Sequence, residues 1–222
     1  MPNWCSNTVE IRGSEEAVAA FVKAAKGSHA CYNGCAAFGS SPWPAHDEVR
    51  LRALTRVPAE LDSDVQEFCF NALYPVPEDF RRFPYDDEQA RKVGDAVGEE
   101  RAYGGYRWQS DHWGTKWDVS DIYIDYGPAS FILLEFSTAW GPPISFFEKV
   151  CGDFPELTFE LTFHEGGMGF AGKCTFDQGE LIEEEELPIE DFVEDEDEVS
   201  EHYAQDEQPL TEYMSLLEKQ DA

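Results

Sequence analysis

Trp108, Trp113 and Trp117 surround Lys116 and Asp118, and this is the part of the chain where side-chain types come closest to chemistry. Indoles flanking a lysine form a stacking or cation–π platform for a base or a peptide. The simpler reading is a turn before a strand, with Trp117 entering the core and Gly114 setting the backbone. Trp140, ahead of Pro142-Pro143, has the same two readings, platform or rigid strand-to-helix corner. The candidate ligand-binding residues are therefore Trp113, Lys116, Trp117 and Trp140. His29, Cys31 and Cys35 have the spacing of half a zinc site. A structural site needs four ligands, and beyond His46 no matching pair follows, so no metal is expected. His112 near Asp111 and His164 beside Glu165 are acid–base pairs on paper. No nucleophile elbow, phosphate loop or metal-binding helix accompanies them. The glycines at 166, 167, 169 and 172 fit a hairpin and not a dinucleotide fingerprint. No catalytic residue and no cofactor is assigned, and the reading inclines against an enzyme.

Charge says more about partners. The 222 residues carry 46 acids against 16 Lys and Arg, a net −30. Nineteen of those acids fall in residues 177–222, where the only base is Lys219. Glu183-Glu184-Glu185-Glu186 and Glu194-Asp195-Glu196-Asp197-Glu198 are the densest runs. Such blocks repel phosphates and attract cationic surfaces, so direct nucleic-acid binding is not expected. The plain alternative is a solvated extension that aids solubility.

Elements must position these groups. Thr8–Arg12 alternates as a strand, and Ser14 caps a helical stripe of Val18, Phe21, Val22 and Ala25 that stops at Gly27. Residues 28–63 read as a loop-rich insertion, with a short helix possible over 48–53. Phe68–Leu73 reads as a strand stopped by Pro75 and Pro77, and 86–100 has helical composition. Residues 117–126 and 131–138 pair as a hairpin across Gly127-Pro128, with an irregularity at Ser120-Asp121. Pro142-Pro143 opens a helix over 144–150. Strands follow at 157–163 and 169–176. Mixed order without a strict β-α repeat points to an α+β fold. The expected organisation is a domain over 1–180 and an acidic C-terminal tail over 181–222. A short helix is expected within it at 209–219, where Leu210, Tyr213, Met214 and Leu217 share a face. Residues 183–200 are the best candidate for disorder. Neither a leader nor a membrane span is expected, which implies a cytoplasmic protein with six reduced cysteines.

Four segments together resemble a known family. They are Pro2-Asn3-Trp4-Cys5-Ser6-Asn7, Phe70-Asn71-Ala72-Leu73-Tyr74-Pro75-Val76-Pro77, His112-Trp113-Gly114-Thr115-Lys116-Trp117-Asp118, and Ser137-Thr138-Ala139-Trp140-Gly141-Pro142-Pro143, the last reinforced by Gly167–Gly172. The chain is similar in these to the Api-like proteins of phages and plasmids, with a YubB-type ferredoxin-like domain. The resemblance implies a ferredoxin-like antiparallel sheet with helices packed on one face, and carries no catalytic residues. The Cys31/Cys35 insertion and the acidic tail depart from it. The expectation is a non-enzymatic interaction protein of a mobile element, with a host-takeover or counter-defence role. Its acidic runs would bind a basic or nucleic-acid-binding host or defence protein, as a DNA mimic would. The alternative is a small-ligand or nucleotide-binding module built on the Trp/Lys segment. The oligomeric state does not follow from the sequence.

Overall fold

A computed structural model describes residues 3–30, 32, 65–81, 84 and 104–192. Strand β1 (Trp4–Arg12) puts Cys5, Asn7, Val9 and Ile11 on one side, all buried, and its polar residues on the other. This is the period-2 signature of a sheet with one covered face. Helix α1 (Glu15–Ala25) follows, and Ser14 Oγ accepts the Ala17 N–H at 3.1 Å as its N-cap. Val18 and Phe21 turn into the core. A one-turn helix α2 (Phe70–Leu73) and helix α3 (Gly105–Trp113) precede the hairpin β2 (Ser120–Tyr126) and β3 (Phe131–Ala139). Asp121 takes φ 52° where the β2–β3 register slips, which is the irregularity legible in the sequence. Helix α4 (Ile144–Asp153) opens after Pro143, and strands β4 (Thr158–Glu165), β5 (Phe170–Asp177) and β6 (Glu180–Leu187) complete the described chain.

The sheet order is β2-β3-β1-β4-β5-β6, with every neighbouring pair antiparallel. β1-α1-β2-β3-α4-β4 is the β-α-β-β-α-β unit of the ferredoxin-like α+β fold, with β5 and β6 added at one edge. Phe21, Phe68, Phe70, Phe136, Phe146, Phe147 and Phe159 fill the space between sheet and helices, and the Phe70 and Phe146 rings stack at 4.0 Å. Among the described residues, no helix is long and apolar enough to cross a membrane.

Two sequence expectations are corrected and one element is added. Phe68–Leu73 is not a strand but a bend leading into α2, because a carboxylate 48 residues later captures its backbone N–H groups. Residues 105–113, read without a helix, form α3. The acidic tail does not start at 181: Glu183–Glu186 lie in β6, hydrogen-bonded to β5, so this part of the interval expected to be disordered is sheet. The expected helices at 48–53, 86–100 and 209–219 and the run Glu194–Glu198 lie outside the described residues.

Candidate functional site

The four signature segments converge at one end of the sheet in a network of buried polar groups. Asn7 Nδ2 donates to Cys5 O and to Thr138 Oγ1, each at 2.8 Å, and the Thr138 hydroxyl donates to Gly141 O at 2.8 Å. Thr115 Oγ1 donates to Ala139 O at 2.9 Å. Trp113 is fully buried, its Nε1–H donating to Tyr74 O at 3.0 Å. Trp140 holds φ 76°, where a side chain is disfavoured, and its N–H donates to Asn3 O at 2.9 Å. Gly114, at φ 80°, ends α3 so close to the chain that a Cβ would meet Pro142 O at 2.8 Å. The signature is thus mainly architectural.

At the centre of the network is Asp118, 6 % exposed. Its Oδ1 accepts the N–H groups of Phe70 (2.7 Å) and Val119 (2.9 Å). Its Oδ2 accepts the Asn71 N–H (3.1 Å) and the Cys69 S–H (3.2 Å). The carboxylate caps α2, whose first N–H groups have no partner inside the helix. Asn71 extends the clamp, donating from Nδ2 to Ser28 O and accepting the Val76 N–H, each at 3.0 Å.

His29, Cys69 and Asp118 bring potential metal ligands within 4.8 Å of one another. Cys69, given no partner by the sequence reading, is the residue that joins His29 here; Cys31, Cys35 and His46 lie outside the described residues. The donor set does not fit a metal as it stands. All four acceptor positions of Asp118 are taken by protein donors, and burial, reinforced by the Asp118 charge, pushes the Cys69 thiol well above its ordinary value. A metal would have to displace both the thiol proton and the cap.

Above this clamp lies a cleft of about 300 Å³, lined by His29, Tyr32, Tyr106, Gln109, Trp117 and Asp118, with Ser120 at its edge. Tyr106 packs edge-on against Tyr32 at 5.3 Å and against Trp117 at 6.3 Å. Lys116 Nζ stands 5.5 Å from the ring centres of both Tyr106 and Trp117. The four predicted ligand-binding residues therefore part company. Lys116 and Trp117 belong together at the cleft, while Trp113 is in the core against Phe70 and Trp108, where Trp117 was expected. Trp140 is half-exposed at the β3–α4 corner. Tyr106 and Gln109 were missed; both lie on α3, itself missed.

The histidine pairs do not assemble. His164 and Glu165 are consecutive in β4, so their side chains leave opposite faces. Glu165, 3 % exposed, accepts the Gly167 and Met168 N–H groups at 2.8 and 2.6 Å, and His164 stacks on Phe192 at 5.0 Å. His112 lies flat on Trp108 at 4.4 Å, and Asp111 pairs with Arg107.

The sheet face away from the α-helices is the second candidate surface; among the described residues no α-helix packs on it, and Phe192, after β6, covers its His164 corner. One row across the strands runs Asp125, Leu133, Glu10, Glu160, Thr175, Glu183, and the next runs Tyr123, Glu135, Thr8, Thr162, Lys173, Glu185. Glu10 and Glu160 stand directly opposite each other. Against these six carboxylates stand Lys173, paired with Glu160 at 2.5 Å, and Arg12, paired with Glu10. Glu160 above all, with Glu10 and Glu183, holds the Lys173 ammonium above its ordinary pKa. Glu184 and Glu186 point to the other side of the strand.

Residues 112–206 match the family model of a ferredoxin-like domain in Api92-like protein. That stretch begins inside α3 and takes in the sheet from β2 and β3 through β4, β5 and β6, so the matched domain includes the strand read as tail. The crystal structure of protein api92 from Yersinia pseudotuberculosis is similar at 10% identity and a TM-score of 0.49, over 84% of this chain and 98% of that one. Among curated proteins none matches the chain.

Proposed function

We propose that the protein is a non-enzymatic interaction module whose acidic sheet face docks a basic protein surface. The observation that supports this is the row Asp125, Glu10, Glu160, Glu183. Like charges directly opposite in a sheet are destabilising, and nothing in the fold requires them. A cationic partner would relieve that repulsion and be steered to it by the net charge of −30. Two of the residues singled out from the sequence, Glu183 and Glu185, lie on this face, on a rigid strand. A nucleic-acid-binding protein of a host cell is the partner chemistry that fits, as in a host-takeover or counter-defence role.

The test keeps the full chain and equal net charge. Neutralising Glu10, Glu160 and Glu183 to Gln is compared with neutralising Glu15, Glu16 and Glu148 on the helix side. The probe is a Lys/Arg-rich peptide titrated at two ionic strengths. The face variant should bind at least about tenfold more weakly, a loss of about 1.4 kcal/mol, with a shallower salt dependence. Equal affinity and salt dependence in the two variants would refute the reading.

A further inference from the structure

The cleft beside Trp117 is independent of the acidic face. Gln109 is 2 % exposed and lines the cleft, and its Oε1 has no hydrogen-bond partner among the described residues. Buried amide oxygens are rarely left so, and an orphan of this kind calls for an explanation in what the site binds. The polar groups of the clamp do not answer it: the Asp118 carboxylate has no hydrogen to donate, and the Cys69 S–H is directed to Asp118.

We propose that this cleft binds the base of a nucleoside or nucleoside monophosphate, with Gln109 reading the base edge and the Trp117 and Tyr106 rings providing its aromatic wall. Three observations converge. A cleft of about 300 Å³ is at the small end for ligand sites and suits one heterocycle and its sugar, not a peptide. A carboxamide offers a donor and an acceptor side by side, the pattern by which glutamine reads an adenine edge. Aromatic faces stack any base, and Lys116, at 5.5 Å from both rings, is a cation near the aromatic wall for one phosphate. The net charge of −30 opposes polyanions, so nucleoside triphosphates and nucleic-acid strands are disfavoured.

The experiment titrates the full-length protein with adenosine, guanosine, cytidine and uridine and with their 5′-monophosphates. Binding is followed by tryptophan fluorescence and calorimetry. At least one pair should bind saturably below millimolar concentration. Gln109→Met should weaken that ligand about tenfold or more and leave the melting temperature unchanged or raised, because no hydrogen bond in the free protein is lost. Trp117→Ala should abolish binding, while Trp117→Phe retains it. Tighter binding of the monophosphate that reverts to the nucleoside's affinity in Lys116→Met assigns the phosphate contact. No saturable binding of any of the eight compounds, or unchanged affinity in Gln109→Met and Trp117→Ala, overturns the proposal. So does a fall in the melting temperature of Gln109→Met, which would mean that the amide already has a structural partner.

Discussion

Removing the Asp118 carboxylate should cost more stability than any other single change at a polar site described above. Asp118→Ala strips the partners from the backbone N–H groups of Phe70, Asn71 and Val119, which the carboxylate holds at 2.7–3.1 Å. A buried donor left unsatisfied costs about 1–3 kcal/mol. Three donors are stranded at once and water entering from the cleft re-satisfies part of that, so the expected loss is about 3–5 kcal/mol. At 2–4 °C per kcal/mol for a chain of this size, the melting temperature should fall by roughly 6–20 °C. Asp118→Asn keeps one acceptor and turns an NH₂ towards two donors, so its loss should be smaller, about 2–3 kcal/mol. Urea denaturation followed by far-UV circular dichroism and tryptophan fluorescence reads both. The Cys69→Ser variant, which keeps a donor towards Oδ2, should stay near wild type. If Asp118→Ala unfolded within about 1 kcal/mol of wild type with an unchanged m-value, the capping account of α2 would be wrong.

Three further outcomes follow from the packing. Burial raises the Cys5 thiol from 9.0 to about 12 and Cys174 from 9.0 to about 11. Their folded values exceed the unfolded ones, so the stability they contribute is intact below about pH 9 and is lost as pH rises from 9 towards 12, which denaturant midpoints at pH 8, 9.5 and 10.5 measure. Cys5, Cys69, Cys151 and Cys174 are buried and free, so in native protein a thiol reagent should modify no more than two of the six cysteines rapidly, and all six after unfolding. Gly114→Ala combines a φ of 80° with a Cβ 2.8 Å from Pro142 O and should destabilise by about 1–3 kcal/mol, read as a lowered urea midpoint.

What was legible in the sequence followed periodicity. β1, α1, β2, β3, α4, β4 and β5 each carry an alternating or helical stripe with a local start or stop. The α+β class follows from their mixed order, and the ferredoxin-like arrangement was implied by the family resemblance. The α2 segment was misread because Phe68-Cys69-Phe70 looks like a strand, and its helical turn depends on Asp118, which no local pattern announces. α3 begins at Gly105, has no side-chain cap and mixes buried Gln109 with exposed Ser110, so no clean stripe marks it. β6 was misread because an edge strand needs only backbone pairing to β5, and four consecutive glutamates hide that. Lys116 and Trp117 were found from their types, but Gln109 and Tyr106 require the fold. The exchange of roles between Trp113 and Trp117 has the same origin: Trp113 ends a helix that packs inward, and Trp117 lies in the bend after it.

The position of β6 also governs how copies of this protein meet. Its outer edge has unpaired backbone groups among the described residues, and Ile182 stands 60% exposed upon it. Two copies joining β6 to β6 would bring Glu183–Glu186 of one against the same four of the other, so the glutamates act as a gatekeeper against sheet-to-sheet growth. The guard is electrostatic and weakens where salt shortens the reach of charge. Replacing those glutamates by glutamine should increase self-association through this edge, read as a rise in sedimentation coefficient with protein concentration.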